Sequence, residues 1–96
     1  MYYGNIPNEN GRILSEMLSF IQSTPGISYY DLKAYAYDND KEDWLRMLRS
    51  PKRRSFISLC IRDFRRDSGK PYNNSLDRSL SYLADAEANY RVRHAL

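Results

Sequence analysis

Ser50-Pro-Lys-Arg-Arg-Ser-Phe-Ile-Ser-Leu-Cys-Ile-Arg-Asp-Phe-Arg-Arg-Asp-Ser-Gly69 is the stretch on which the reading of this chain turns. Serine followed by proline is a helix start. The serine oxygen accepts from a free backbone N–H of the first turn, and proline at the first helical position has no N–H to lose. Phe56, Ile57, Cys60, Ile61 and Phe64 then recur at helical spacing, with Leu59 beside them. Gly69 can take the left-handed conformation that ends a helix, and Pro71 keeps it from resuming. The spacing predicts a helix over residues 51–67.

The segments on either side also read as helix. Ile13, Leu14, Met17, Leu18 and Ile21 form one apolar stripe, broadened by Phe20, in a helix over residues 9–24. Asn8 or Asn10 caps its start, and Pro25-Gly26 ends it. Ser28, followed three residues later by Asp31, approximates a capping box for a short helix over residues 29–37, with Leu32, Tyr35 and Ala36 inward. Asp38-Asn-Asp-Lys-Glu-Asp43 is an acidic break. Acids suit the first turn of a following helix, here one carrying Trp44, Leu45, Met47 and Leu48. Asn73-Asn-Ser75 is a turn and cap. A last helix begins near Leu76, with Leu76, Leu80, Leu83 and Ala84 expected to face inward. No hairpin signal, repeat or long linker interrupts the chain. The fold class expected is mostly α: one domain over residues 1–96, of four or five helices, with little or no β. Residues 1–8 read as a loose lead-in and residues 90–96 as a polar tail that frays.

Composition narrows the function. The single cysteine, Cys60, has no internal disulfide partner, and no apolar run approaches the roughly 20 residues of a membrane span. Met1-Tyr-Tyr-Gly-Asn5 lacks the basic-then-apolar pattern of a secretory signal, so a cytoplasmic, reducing setting with no membrane partner is expected. No Cys/His cluster suits zinc, and no glycine-rich loop suits a nucleotide phosphate. The acidic run lacks the glycine and terminal glutamate of a calcium loop. His94 is the only histidine, close to the end of the sequence, and Cys60 lies on the apolar stripe as a small hydrophobe. No catalytic residue, cofactor or metal is therefore expected, and the chain reads as non-enzymatic.

The charge distribution is more informative than its sum. The net charge is +3, yet residues 46–66 carry +7, leaving −4 for the rest. The cations there are Arg46, Arg49, Lys52, Arg53, Arg54, Arg62, Arg65 and Arg66, nearly all arginine, whose planar fork binds phosphate, carboxylate or guanine in a bidentate manner. Lys52, Arg53 and Arg54 occupy a helix's first turn, against the dipole, at about 0.3–1 kcal/mol each when exposed. The same turn presents N–H groups that favour an anion. Asp63 and Asp67 offer the plainer alternative, a solvated face with pairs at helical spacing. Nine tyrosines add a second signal, because four fall within residues 29–37, more than a nine-residue helix can bury. Tyr29 and Tyr30, close to arginines in composition, are candidates for an interface.

The order Ile13 to Gln22, then Ser23-Thr-Pro-Gly-Ile-Ser28, then Tyr29 to Ala36, resembles the opening of winged-helix and related helix-turn-helix DNA-binding domains. Ser55-Phe-Ile-Ser-Leu-Cys-Ile-Arg-Asp-Phe-Arg-Arg66 resembles their recognition helix, and the likeness covers residues 13–69. The resemblance implies that Lys52, Arg53 and Arg54 enter a major groove while Arg46, Arg49, Arg62, Arg65 and Arg66 touch phosphates. DNA is then the first partner expected, for a regulator or accessory protein that could act as a homodimer. Residues 38–51 exceed the short turn of that family, and helix is expected where it carries a wing. The alternative partner is a larger protein. A small chain with segregated charge resembles, in style, phage- or plasmid-type modulators and inhibitors of host defence or nucleic-acid enzymes, docking through an Arg/Tyr surface.

Overall fold

Several helix boundaries are set by local devices that can be named residue by residue. The structure, a computed structural model, describes residues 9–95. The lead-in expected over residues 1–8, including the alternative cap Asn8, lies outside them. Helix α1 is Glu9–Gln22, α2 Tyr29–Asp38, α3 Glu42–Leu48, α4 Pro51–Ser68 and α5 Leu76–Arg93. No strand occurs among the described residues. Over the described residues the fold is thus all-α, with five helices.

Three serines cap three of these helices. Ser28 Oγ accepts from Asp31 N at 3.1 Å, Ser50 Oγ from Arg53 N at 3.5 Å, and Ser75 Oγ from Arg78 N at 3.2 Å. Pro51 occupies the first turn of α4, and Gly69 ends that helix with φ 71°. Glu42 and Asp43 sit in the first turn of α3, where Asp43 Oδ1 accepts from Trp44 N at 2.9 Å.

The core follows the apolar stripes. Ile13, Met17 and Ile21 of α1, Leu32 and Ala36 of α2, Trp44, Leu45, Met47 and Leu48 of α3, and Ile57 and Ile61 of α4 form one buried cluster. Each large apolar side chain removed from water there contributes about 1.5–3 kcal/mol. Phe20 of α1 stacks on Tyr35 of α2, with ring centroids 4.3 Å apart. Helices α1, α3 and α4 contact one another, and α2 joins that group to α5.

Inward assignments in two helices, α4 and α5, are corrected. Phe56, expected on the inner stripe of α4, is exposed, while Ile57 is fully buried. One residue along a helix turns about 100°, and α4 meets its neighbours along the narrow line of Ile57 and Ile61. In α5 the residues expected inside are turned outward: Leu76 is 61% exposed and Leu80 42%. Ala84 is exposed and Leu83 half-buried, whereas Ser79 and Ala86 are buried. Small residues let α5 approach α2 closely, and Ala34 of α2 is likewise fully buried outside the main cluster. Polar bonds across the pair fix that choice. Ser28 Oγ donates to Ser79 Oγ at 3.4 Å, and Asn74 Nδ2 donates to Asp31 Oδ2 at 3.1 Å.

Helix α5 also runs to Arg93, past the point where the polar composition of residues 90–96 suggests fraying. Its last turn is tied down. An Arg93 guanidinium N–H donates to the Tyr37 carbonyl at 2.7 Å and to Asp40 Oδ1 at 3.2 Å, and His94 Nε2 lies 2.9 Å from the same carboxylate oxygen. Tyr90 packs on Tyr37 with centroids 5.1 Å apart.

Candidate functional site

Burial of Ile57 and Ile61 fixes the rotation of α4, and with it the direction of its arginines. With those two on one side, Arg54, Ser55, Ser58, Leu59 and Arg62 fall on another. These residues form one wall of a groove of about 790 Å³. The facing wall is the first turn of α2, with Tyr29, Tyr30 and Lys33, and Tyr72 from the α4–α5 loop completes it.

Tyr72 is held in place by its neighbours in sequence. Asn73 N donates to the Gly26 carbonyl at 2.8 Å, and Asn73 Nδ2 donates to the Pro25 carbonyl at 3.1 Å. The loop is thereby pinned to the turn that precedes α2. The guanidinium of Arg65 lies 4.5 Å from the centre of the Tyr72 ring, within cation–π range. Tyr30 meets Tyr29 edge to face, with centroids 5.7 Å apart. Burial pushes the Tyr29 phenol above its ordinary pKa, and the charge of Arg54 acts in the opposite direction. The Tyr29 hydroxyl is shielded from solvent and has no hydrogen-bond partner among the described residues.

A second groove of about 390 Å³ adjoins the first, because Lys33 and Arg54 line both. Its other walls are Tyr37, Leu45, Leu48, Arg49, Glu87, Tyr90 and Arg91. Among the described residues Glu87 is the one carboxylate lining either groove, and it pairs with Arg91 at 2.5 Å. Among the described residues no carboxylate pairs with Lys33, Arg49, Arg54 or Arg62; the ion pairs involve Arg12, Arg66, Arg91, Arg93 and His94. Four cations therefore share a pair of grooves without internal neutralisation.

The candidate residues from the sequence divide into three groups. Tyr29, Tyr30, Arg54 and Arg62 come together in the first groove, and Arg49 joins Arg54 in the second. Arg65 lines neither groove and lies over the Tyr72 ring. Arg46, Lys52 and Arg53 are exposed and line neither groove. Arg66 pairs with Asp63 at 3.3 Å and Asp67 at 3.6 Å on its own helix, the plainer alternative for such a face. Lys33, Tyr72, Leu59 and Arg91 had not been singled out. Lys33 follows Tyr30 by three residues and so shares its helix face, a signal present in the sequence. Tyr72 gave none, since only the loop's attachment to Gly26 places it.

The acidic run lies outside the lining of both grooves. Asp40 is taken up by Arg93 and His94, and none of Asp38, Asp40, Glu42 and Asp43 lines a groove. Among the described residues no three His, Cys, Asp or Glu side chains are grouped as metal ligands. Cys60 is half-buried, and burial, aided by Asp63, pushes its thiol pKa up, which keeps it protonated near neutral pH. No described helix is long and apolar enough to cross a membrane. The arrangement supplies positive charge, hydroxyl groups and ring surface: the means to hold a ligand that combines anions with planar apolar groups. No protein-family model, curated protein or solved structure matches this chain.

Proposed function

We propose that this protein is a DNA-binding regulator or accessory protein that works without catalysis, through the arginine-rich helix α4 and the tyrosines beside it. The observation that carries this reading is the set of four cations, Lys33, Arg49, Arg54 and Arg62, lining adjoining grooves with tyrosines and no paired carboxylate among the described residues. A polyanion releases its own counterions on meeting such a surface, which is the main drive of binding to nucleic acid. Lys52 and Arg53, exposed at the start of α4, extend the positive surface beyond the grooves and fit the resemblance to a recognition helix. Anisotropy of labelled mixed-sequence DNA at two salt concentrations tests the reading. Micromolar or tighter binding that weakens steeply with salt is expected, and reversing the charge of Arg53 and Arg54 together should abolish it. Undiminished affinity in that double variant would sink the assignment.

A second reading is favoured by a different observation. Leu76 and Leu80 are exposed on the outer side of α5, near Phe56 and Val92 only in being apolar and unburied. Leu76 and Leu80, four residues apart on one helix face, offer the adjoining apolar surface that a protein interface uses, as a modulator or inhibitor of a larger protein would need. That reading expects salt-sensitive association with a protein and little affinity for bare DNA.

A further inference from the structure

We propose that the groove between α2 and α4 takes a single strand of nucleic acid, with its phosphates on the cations and unpaired bases against Tyr30, Tyr72 and Leu59. This rests on the nucleic-acid reading above and specifies the form of the ligand. Tyrosine rings attract a base through its flat face. In a duplex those faces are covered by neighbouring base pairs, and only edges are presented in the grooves. Only an unpaired base offers a face to a ring.

The shape points the same way. Duplex DNA is read by an element that protrudes, since a major groove about 12 Å wide admits one helix. Tyr30, Leu59 and Tyr72 instead line a recess between two helices and a loop. It is a trough of about 790 Å³ that lies open to solvent along its length, so a strand can lie in it without being enclosed. The apolar surface in it is open: Leu59 is 48% exposed and Tyr72 45%. Tyr29 and Tyr30 meet edge to face, so the pair does not stack on itself.

The cations provide the track. Arg62 and Arg54 line the first groove, Lys33 and Arg54 the boundary, and Arg49 the second. A strand laid along them keeps its phosphates near positive charge while its bases turn toward the rings. Single-stranded DNA and RNA share this chemistry, and the assay distinguishes them.

The test compares labelled oligothymidylate and oligouridylate of about twelve nucleotides, a length within known site sizes, with a mixed-sequence duplex of the same length, all at low salt. Tighter binding of either single strand than of the duplex is expected. The tighter of the two identifies DNA or RNA as the source. Tyr30→Ala and Tyr72→Ala should each weaken single-strand binding on the order of tenfold or more, and duplex binding by a smaller factor. Tyr30→Phe and Tyr72→Phe, which keep the ring, should retain affinity. Tyr72→Leu, which keeps apolar bulk without a ring, gives the same readout should an alanine variant unfold by circular dichroism. Equal or tighter duplex binding, or unaltered single-strand affinity in the ring-deleted variants, overturns this inference and leaves the DNA reading standing. Absence of binding to all three probes overturns both, and directs the groove to a protein partner.

Discussion

Lys33 on α2 and Arg54 on α4 form a shared wall, each lining both the tyrosine groove and the groove beside it. Neither pairs with a carboxylate among the described residues, so the fold keeps like charges together that it does not neutralise. Such an arrangement is what the binding proposed above would use. Lys33→Gln removes one charge from the wall. Folding stability should stay within about 0.5 kcal/mol of the parent, or rise slightly as repulsion is relieved. Affinity for nucleic acid should fall, and the slope of log K against log salt should drop by about one phosphate contact. Anisotropy across a salt series measures both. An unaltered slope would remove Lys33 from the contact set.

Tyr29 reports on the charge of Arg54. Burial sets its phenol pKa above the ordinary value, and the guanidinium pulls it down. Arg54→Gln should therefore shift the Tyr29 midpoint further upward, as read from the ring carbons by NMR titration. Since the folded value lies above the unfolded one, the neutral hydroxyl contributes fully below the ordinary tyrosine pKa of about 10, and that contribution is lost as pH rises through the folded midpoint. The variant should accordingly lose more stability than the parent along the alkaline limb. A midpoint that stays or falls would show that Arg54 does not act on Tyr29.

The parts of this fold that were legible in the sequence are those set by neighbours along the chain. Ser28, Ser50-Pro51, Ser75 and Gly69 place helix ends where their local chemistry dictates, and the stripe of Ile13, Met17 and Ile21 is buried as its period requires. What could not be read depends on a choice between packing partners. Leu76 and Leu80 make an apolar face by any periodicity argument, yet α5 lies against α2 through Ser79 and Ala86. Close approach and four polar bonds, to Asp31, Ser79, Tyr37 and Asp40, outweigh the larger area those leucines offered. The site shows the same division. Arg54 and Arg62 were visible as a cluster on one helix, whereas Lys33 and Tyr72 join them only because two distant segments meet.

The meeting point of those segments is Gly26, whose φ of 90° and lack of a side chain are both needed. A Cβ there would fall 2.5 Å from Asn73 Oδ1 and 2.9 Å from the Pro71 carbonyl oxygen. The second of these is backbone and cannot swing away. Gly26→Ala should cost about 1–3 kcal/mol for the left-handed backbone alone, with more from displacing the loop. In a domain of this size that lowers Tm by at least about 4 °C. Thermal unfolding checks the stability. Loss of nucleic-acid affinity at temperatures where the variant remains folded would show that the position of Tyr72 matters to binding.

Asp40 performs for α5 what Asn73 performs for the loop. It has a positive φ of 51°, a conformation that asparagine and aspartate tolerate better than other side chains, and its carboxylate faces Arg93 and His94. The hydrogen bond from His94 is the main reason its pKa lies below the ordinary value, with Arg93 adding to it. A depressed folded value means that the contribution of this carboxylate is present above the ordinary aspartate range and is lost as pH falls through the folded midpoint. Asp40→Asn keeps the backbone preference and removes the charge. The ends of the bridge are exposed, so salt screens it and the global midpoint should move little. The effect should be local. Amide exchange over residues 91–95 should speed up in the variant at neutral pH, as it should in the parent on strong acidification, while exchange in α1 and α4 stays unchanged. Equal protection of those residues in parent and variant would mean that Tyr90 packing on Tyr37, rather than the Asp40 carboxylate, holds the last turn of α5 against α2.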